Sequence, residues 1–189
     1  MRCPRVRYLH GVQDMFQRSG VTVRALIAAA LMGGAASGVS SAPVQWSTGA
    51  GGNGHWYETV DILRVAWDLA KTAAETRTHL GLSGHLVTVT SQSEQDFLVS
   101  TFSSLTLENR WMGASQDQNE VWTWVTGETW AFTSFGAGEP NGGTTENYLE
   151  FRQANGGWND DLLNGFSFGY VVEYEAAAQV PEPASIALA

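Results

Sequence analysis

Two stretches in the C-terminal half of the 189-residue chain concentrate side-chain oxygens: Gly138-Glu139-Pro140-Asn141-Gly142-Gly143-Thr144-Thr145-Glu146-Asn147 and Gly156-Gly157-Trp158-Asn159-Asp160-Asp161. They offer carboxylates and amides, with no nitrogen or sulfur ligand among them. That donor set suits calcium, a hard cation that takes about six to eight oxygens in adaptable geometry. Zinc fits poorly, because His55, His79 and His85 lie far off in sequence and the single cysteine is Cys3. Proline between Glu139 and Asn141 has a use if the Glu139-Pro140 bond is cis, since the turn can then aim both side chains at one point. The same residues also make an ordinary solvated turn, and Trp158 also reads as a core aromatic at a strand end.

An α+β domain has to position these loops. Residues 63–79 carry Val65, Leu69 and Ala73 among charges and predict an amphipathic helix. Ser91 and Glu94 have capping-box spacing, with Phe97 and Leu98 as an apolar face, and predict a second helix. Short strands are predicted at 85–90, 110–114, 121–125, 148–152 and 168–174, with long Gly-rich stretches between the later ones. Loops of that length in a compact domain are functional or disordered.

These residues resemble the C-type lectin-like family across nearly all of a domain at 43–176. Gly84-His85-Leu86-Val87-Thr88-Val89 is similar to the family's turn from first helix to strand, and Trp111-Met112-Gly113-Ala114 to its central strand. Trp122-Thr123-Trp124-Val125-Thr126-Gly127-Glu128 continues that pattern. Glu139-Pro140-Asn141 then matches the EPN motif, Trp158-Asn159-Asp160 the WND motif, and Tyr170-Val171-Val172-Glu173 the closing strand. The resemblance implies a C-type lectin-like fold of two helices, small antiparallel sheets and long Gly-rich loops. It also implies that Glu139, Asn141, Glu146, Asn159 and Asp160 hold Ca2+ and touch a sugar, whose neighbouring hydroxyls fill vacancies in the ion's shell. The EPN version implies mannose, fucose or N-acetylglucosamine. Three departures stand out. No disulfide is available, and Tyr148 and Val172 stand where cysteines are expected. Ser115, Asn119, Gly143 and Asn147 occupy the auxiliary calcium positions, so one calcium is predicted. The loop from Glu139 to Glu146 is short, which makes Glu150 the fallback for Glu146, although its place in a strand reads as structural or exposed.

The chain has 19 acidic and 10 basic side chains, but five of the arginines and only one acid fall in the first 42 residues. The remainder carries 18 acids against 5 bases, which would repel phosphate backbones and excludes nucleic acid as a partner. Arginines followed by the apolar run at 25–36 predict a signal peptide over 1–42, cut after Gly38 or Ser41. Val180-Pro181-Glu182-Pro183-Ala184-Ser185, within a Pro-rich tail at 177–189, resembles the opening of a PEP-CTERM sorting signal of exported Gram-negative proteins. Together these imply a secreted or cell-envelope bacterial protein whose partner is a glycan or extracellular polysaccharide. The alternative is a non-sugar adhesion or protein-interaction module on the same fold, with Trp122, Trp124 and Trp130 as an exposed patch. An enzyme is not predicted: hydrolysis by Glu139 and Asp160 needs two differently tuned carboxylates, which spacing does not supply. Gly81-Leu82-Ser83-Gly84-His85 also lacks the last glycine of a serine-hydrolase elbow.

Overall fold

Val39–Ser40 (β1) and Val44–Gln45 (β2) lie along Trp56–Asp61 (β3), and helix Trp67–Glu75 (α1) follows, then the hairpin Thr78–His79 (β4) and Leu82–Leu86 (β5). Helix Gln92–Phe102 (α2) and the one-turn Ser104–Leu107 (α3) lead into Arg110–Gln116 (β6), Trp122–Trp124 (β7), Tyr148–Phe151 (β8), Trp158–Asp161 (β9) and Gly169–Glu175 (β10). This computed structural model describes residues 38–152 and 156–175. Nearly all of the leader and the whole Pro-rich tail expected from the sequence lie outside the described residues; of the leader only 38–42 is described.

The ten strands form one sheet in the order β1-β3-β10-β6-β8-β9, with β2 beside β3, β5 beside β10, β4 beside β5 and β7 beside β6. All pairings are antiparallel except β6 with β10, where Gly169 faces Arg110 and Tyr170 faces Trp111. This is the C-type lectin fold, built on a single mixed sheet, and no disulfide holds it.

The helix expected over 63–79 is shorter, and its buried stripe is Trp67, Ala70 and Ala74. Leu69 is 61% exposed instead. Small residues win the inner face because α1 seats close on β5: a side chain at Gly84 would meet the Ala74 carbonyl at 2.7 Å. The Trp67 indole N–H then donates to the Met112 carbonyl at 2.8 Å and fixes the helix to β6. The second helix starts as expected, with Ser91 Oγ accepting from the Glu94 N–H at 3.2 Å. The Glu94 carboxylate, however, reaches one residue further back and accepts from the Thr90 N–H at 2.9 Å.

Apolar packing stands at the positions where cysteines were expected. Val172 is fully buried and directly opposite Leu86 across the β10–β5 pair. Tyr148 packs on Trp67 with ring centroids 4.9 Å apart. Val172, fully buried, contributes about 1.5–3 kcal/mol through removal of apolar area from water, and the partly buried Tyr148 contributes less. Trp122 and Trp124 are 8% and 3% exposed and join Trp158 in the larger core, so they do not form the exposed patch considered from the sequence.

Candidate functional site

The site lies at the edge of the sheet. β9 ends the strand order and pairs with β8, so that Leu149 faces Asp160 and Glu150 faces Asn159, while Trp158 also bridges Phe135 in parallel. Side chains alternate along a strand, which puts Asp160 with Leu149 toward the core and Asn159 with Glu150 on the opposite face. Both Asn159 and Asp160 are buried.

Asp160 joins the two oxygen-rich stretches. Its Oδ1 accepts from the Asn141 N–H at 3.0 Å and its Oδ2 from the Gly142 N–H at 2.8 Å. Charge-assisted bonds of this kind are about twice as strong as neutral ones. The Glu139-Pro140 bond is cis, and the residue that follows it, Asn141, is the one whose backbone N–H bonds Asp160. Gly142 cannot carry a Cβ, because the Glu146 side chain folds over it and would collide. The loop therefore closes on itself and brings Glu146 back toward Glu139 and Asp160.

Like charges crowd this corner. Burial raises the Glu139 carboxyl above its ordinary range and Asp160 adds to the shift, with Arg152 opposing. Burial also raises Glu146, and Asp160, Asp161 and Glu139 push the same way. Glu150 is pushed up to about 8, first by burial and then by Asp161. Three buried oxygens, Glu139 Oε2, Asn147 Oδ1 and Glu150 Oε2, have no hydrogen-bond partner. Repelling carboxylates and unpaired acceptors are the arrangement a hard divalent cation relieves. Among the described residues no three Asp, Glu or His side chains already converge on one point, so amide oxygens would have to complete any shell.

The structure thus brings Glu139, Asn141, Glu146 and Asp160 into one neighbourhood and sets Asn159 beside them on the other face of β9. Asn147 and Asp161 lie in the two oxygen-rich stretches but are not among the ligands expected from the sequence, and Arg152 was not read as part of this neighbourhood at all. Glu150 was expected to be structural or exposed, and it is fully buried against Asn159. Alternation in Tyr148-Leu149-Glu150-Phe151 sends Glu150 away from the core face, and it is the pairing of β8 with β9 that buries it there. Next to the site, Gln116, Glu120, Trp122, Phe135, Pro140, Gly143 and Asp160 line a cavity of about 230 Å³.

Comparison with known proteins places this geometry among relatives. The family description "Lectin C-type domain" matches residues 70–164. Halomucin of Haloquadratum walsbyi is 35% identical over 166 residues, covering 75% of this chain, although the chain spans only 2% of that relative's length. The mouse low affinity immunoglobulin epsilon Fc receptor is 30% identical over 104 residues, covering 54% of this chain and 30% of the receptor. Among solved structures, the cow C-type carbohydrate-recognition domain of CD23, determined in the presence of GlcNAc2Man3 oligosaccharide, superposes with a TM-score of 0.53. It is 26% identical, over 63% of this chain and 86% of that one.

Proposed function

This chain belongs to the C-type lectin domain family, and from that premise we propose that it binds a saccharide through one calcium ion held by Glu139, Asn141, Glu146, Asn159 and Asp160. The observation that carries the reading is the pair of hydrogen bonds from Asn141 and Gly142 to Asp160, which join both oxygen-rich stretches at one carboxylate. Bound there, the ion would supply a positive centre with vacancies for two neighbouring sugar hydroxyls. The chain's own share is to hold and orient. Asp160 pins the turn, and Glu139 and Glu146 provide negative charge and accept hydroxyl protons. Asn141 and Asn159 contribute neutral amide oxygens.

The oligosaccharide in the related cow domain supports mannose and N-acetylglucosamine as first probes. A single open site should hold a monosaccharide at about millimolar strength. Useful avidity would come from several copies on one surface. Calorimetry with mannose should give a binding isotherm in calcium and none after chelation. Equal heats in both conditions would remove the ion from the mechanism.

The same reading makes the protein exported, with its leader cut between Gly38 and Val39. Val39 and Ser40 pair with Asp61 and Val60, and Ser41 Oγ accepts from the Thr59 N–H at 3.0 Å. A cut after Ser41 would strip that cover and leave β3 uncovered at residues 59–61, with only Tyr57 and Trp56 still paired to β2 on that side. Intact mass of the secreted chain should give Val39 as the first residue. A mass that starts at Ala42 would refute this placement. The tail at 177–189 would then serve surface sorting.

A further inference from the structure

A buried carboxylate in the middle of a strand is costly unless something uses it. Glu150 is 0% exposed, flanked by Leu149 and Phe151, and among the described residues two side-chain donors reach it. Arg152 Nη1 lies at 3.4 Å, and the other donor is Asn159, whose Nδ2 is 3.1 Å from Glu150 Oε1. The second amide hydrogen of Asn159 goes to the Asp160 carbonyl, at 2.5 Å. Both partners are oxygen acceptors, so they select the NH2 end of the amide and leave Oδ1 as its free end. An apolar side chain at position 150 would leave the amide held by the Asp160 carbonyl alone, so its oxygen would be less firmly aimed.

We infer that Glu150 is a positioning residue for the metal site: by taking the Asn159 NH2 from across the β8–β9 pair, it turns the amide oxygen toward the calcium ion. This rests on the calcium reading above. Glu150 acts only through Asn159 and is not itself a ligand.

The test measures calcium affinity by titration calorimetry, together with melting temperature in excess chelator, for wild type, Glu150→Gln and Glu150→Leu. Glu150→Gln still offers an oxygen to Asn159 and should stay within about threefold of wild type. Glu150→Leu should weaken calcium binding by about 10–100-fold, the usual effect of removing a partner that orients a ligand. Its melting temperature in chelator should be no lower than wild type, because an apolar side chain replaces a poorly paired buried carboxylate. With Asn159→Ala already present, Glu150→Leu should have no further effect on affinity.

Equal losses in Gln and Leu variants would make Glu150 a direct charged ligand and overturn the inference. Unchanged affinity in Glu150→Leu, or a loss matched by a fall in melting temperature in chelator, would overturn it as well. Wild type that binds calcium while Glu150→Leu does not differ leaves the calcium reading standing. Wild type that binds no calcium removes both.

Discussion

Asp160→Asn should abolish mannose binding in calcium and weaken calcium affinity by at least about 100-fold, equivalent to about 2.7 kcal/mol. The substitution keeps shape and removes chemistry. Asp160 is fully buried, and each of its two oxygens accepts a backbone N–H, from Asn141 and Gly142. An asparagine offers one oxygen and one NH2, so one of those backbone N–H groups would face another donor. Hydrogen bonds to charged groups contribute about 1.5–3 kcal/mol each, and a buried donor left unpaired costs a similar amount. The turn that carries Glu139 and Asn141 would thus lose its anchor on β9 while the site loses one negative charge. Calorimetry with calcium and then mannose reads both effects, and far-UV circular dichroism in chelator checks that the sheet is intact. Full mannose binding by Asp160→Asn would sink the proposed site. Loss of sugar binding with adhesion to a protein surface retained would point to a second function elsewhere on the fold.

The strands legible in the sequence were the short runs rich in apolar and aromatic residues: β6, β7, β8 and β10 lie within a residue or two of where they were expected, and β6 and β10 are buried along most of their length. β3 was missed because it lies inside the sheet between β10 and the short β1 and β2, and buries Glu58 and Thr59 beside Tyr57 and Val60. Glu58 is tolerated there because Arg77 and the Tyr174 hydroxyl donate to it at 2.6 and 2.7 Å, partners that arrive from distant parts of the chain. β9 reads as a polar loop, Trp-Asn-Asp-Asp, and is a strand only because β8 pairs with all four residues. The candidate ligands were chosen by type and spacing. What no spacing could reveal is that Asp160 bonds the 141–142 backbone, or that Glu150 is buried opposite Asn159, since both depend on the β8–β9 register.

A second group of acids and histidines, distinct from the proposed calcium site, should make the protein less stable as pH rises from about 6.5 to 9. His55 Nδ1 lies 2.6 Å from Glu173 Oε1, and its Nε2 is 3.4 Å from Glu175. His85 donates from Nδ1 to the Leu86 carbonyl at 2.9 Å and has Glu175 at 3.3 Å on its other nitrogen. Burial alone would lower the His85 pKa, but the Glu175 and Glu173 carboxylates and the Leu86 carbonyl outweigh it and push it up to about 9. His55 is raised too, chiefly by its bond to Glu173. A histidine whose folded pKa exceeds its unfolded value of about 6.5 stabilises fully below that pH and loses its contribution as pH passes the folded value. For His85 the loss is roughly 3 kcal/mol, or on the order of 10 °C in melting temperature. Glu150, at about 8, adds a decline of the same sign from below pH 6.5. Glu175 is lowered by its bond to His85 and works the other way in acid, so maximum stability should fall on the mildly acidic side. Melting curves in chelator from pH 5 to 9.5 test this, and His85→Gln should start lower and fall less steeply over pH 6.5–9. A wild-type profile flat across that range, or an unchanged slope in the variant, would refute it. Calcium binding should run in the opposite direction, because the raised Glu139 and Glu146 carboxyls must be ionised to act as ligands. With calcium present the added stability should therefore be lost as pH falls and those carboxyls take up protons, so the difference between the two profiles isolates the metal-linked protons from those of the histidine pair.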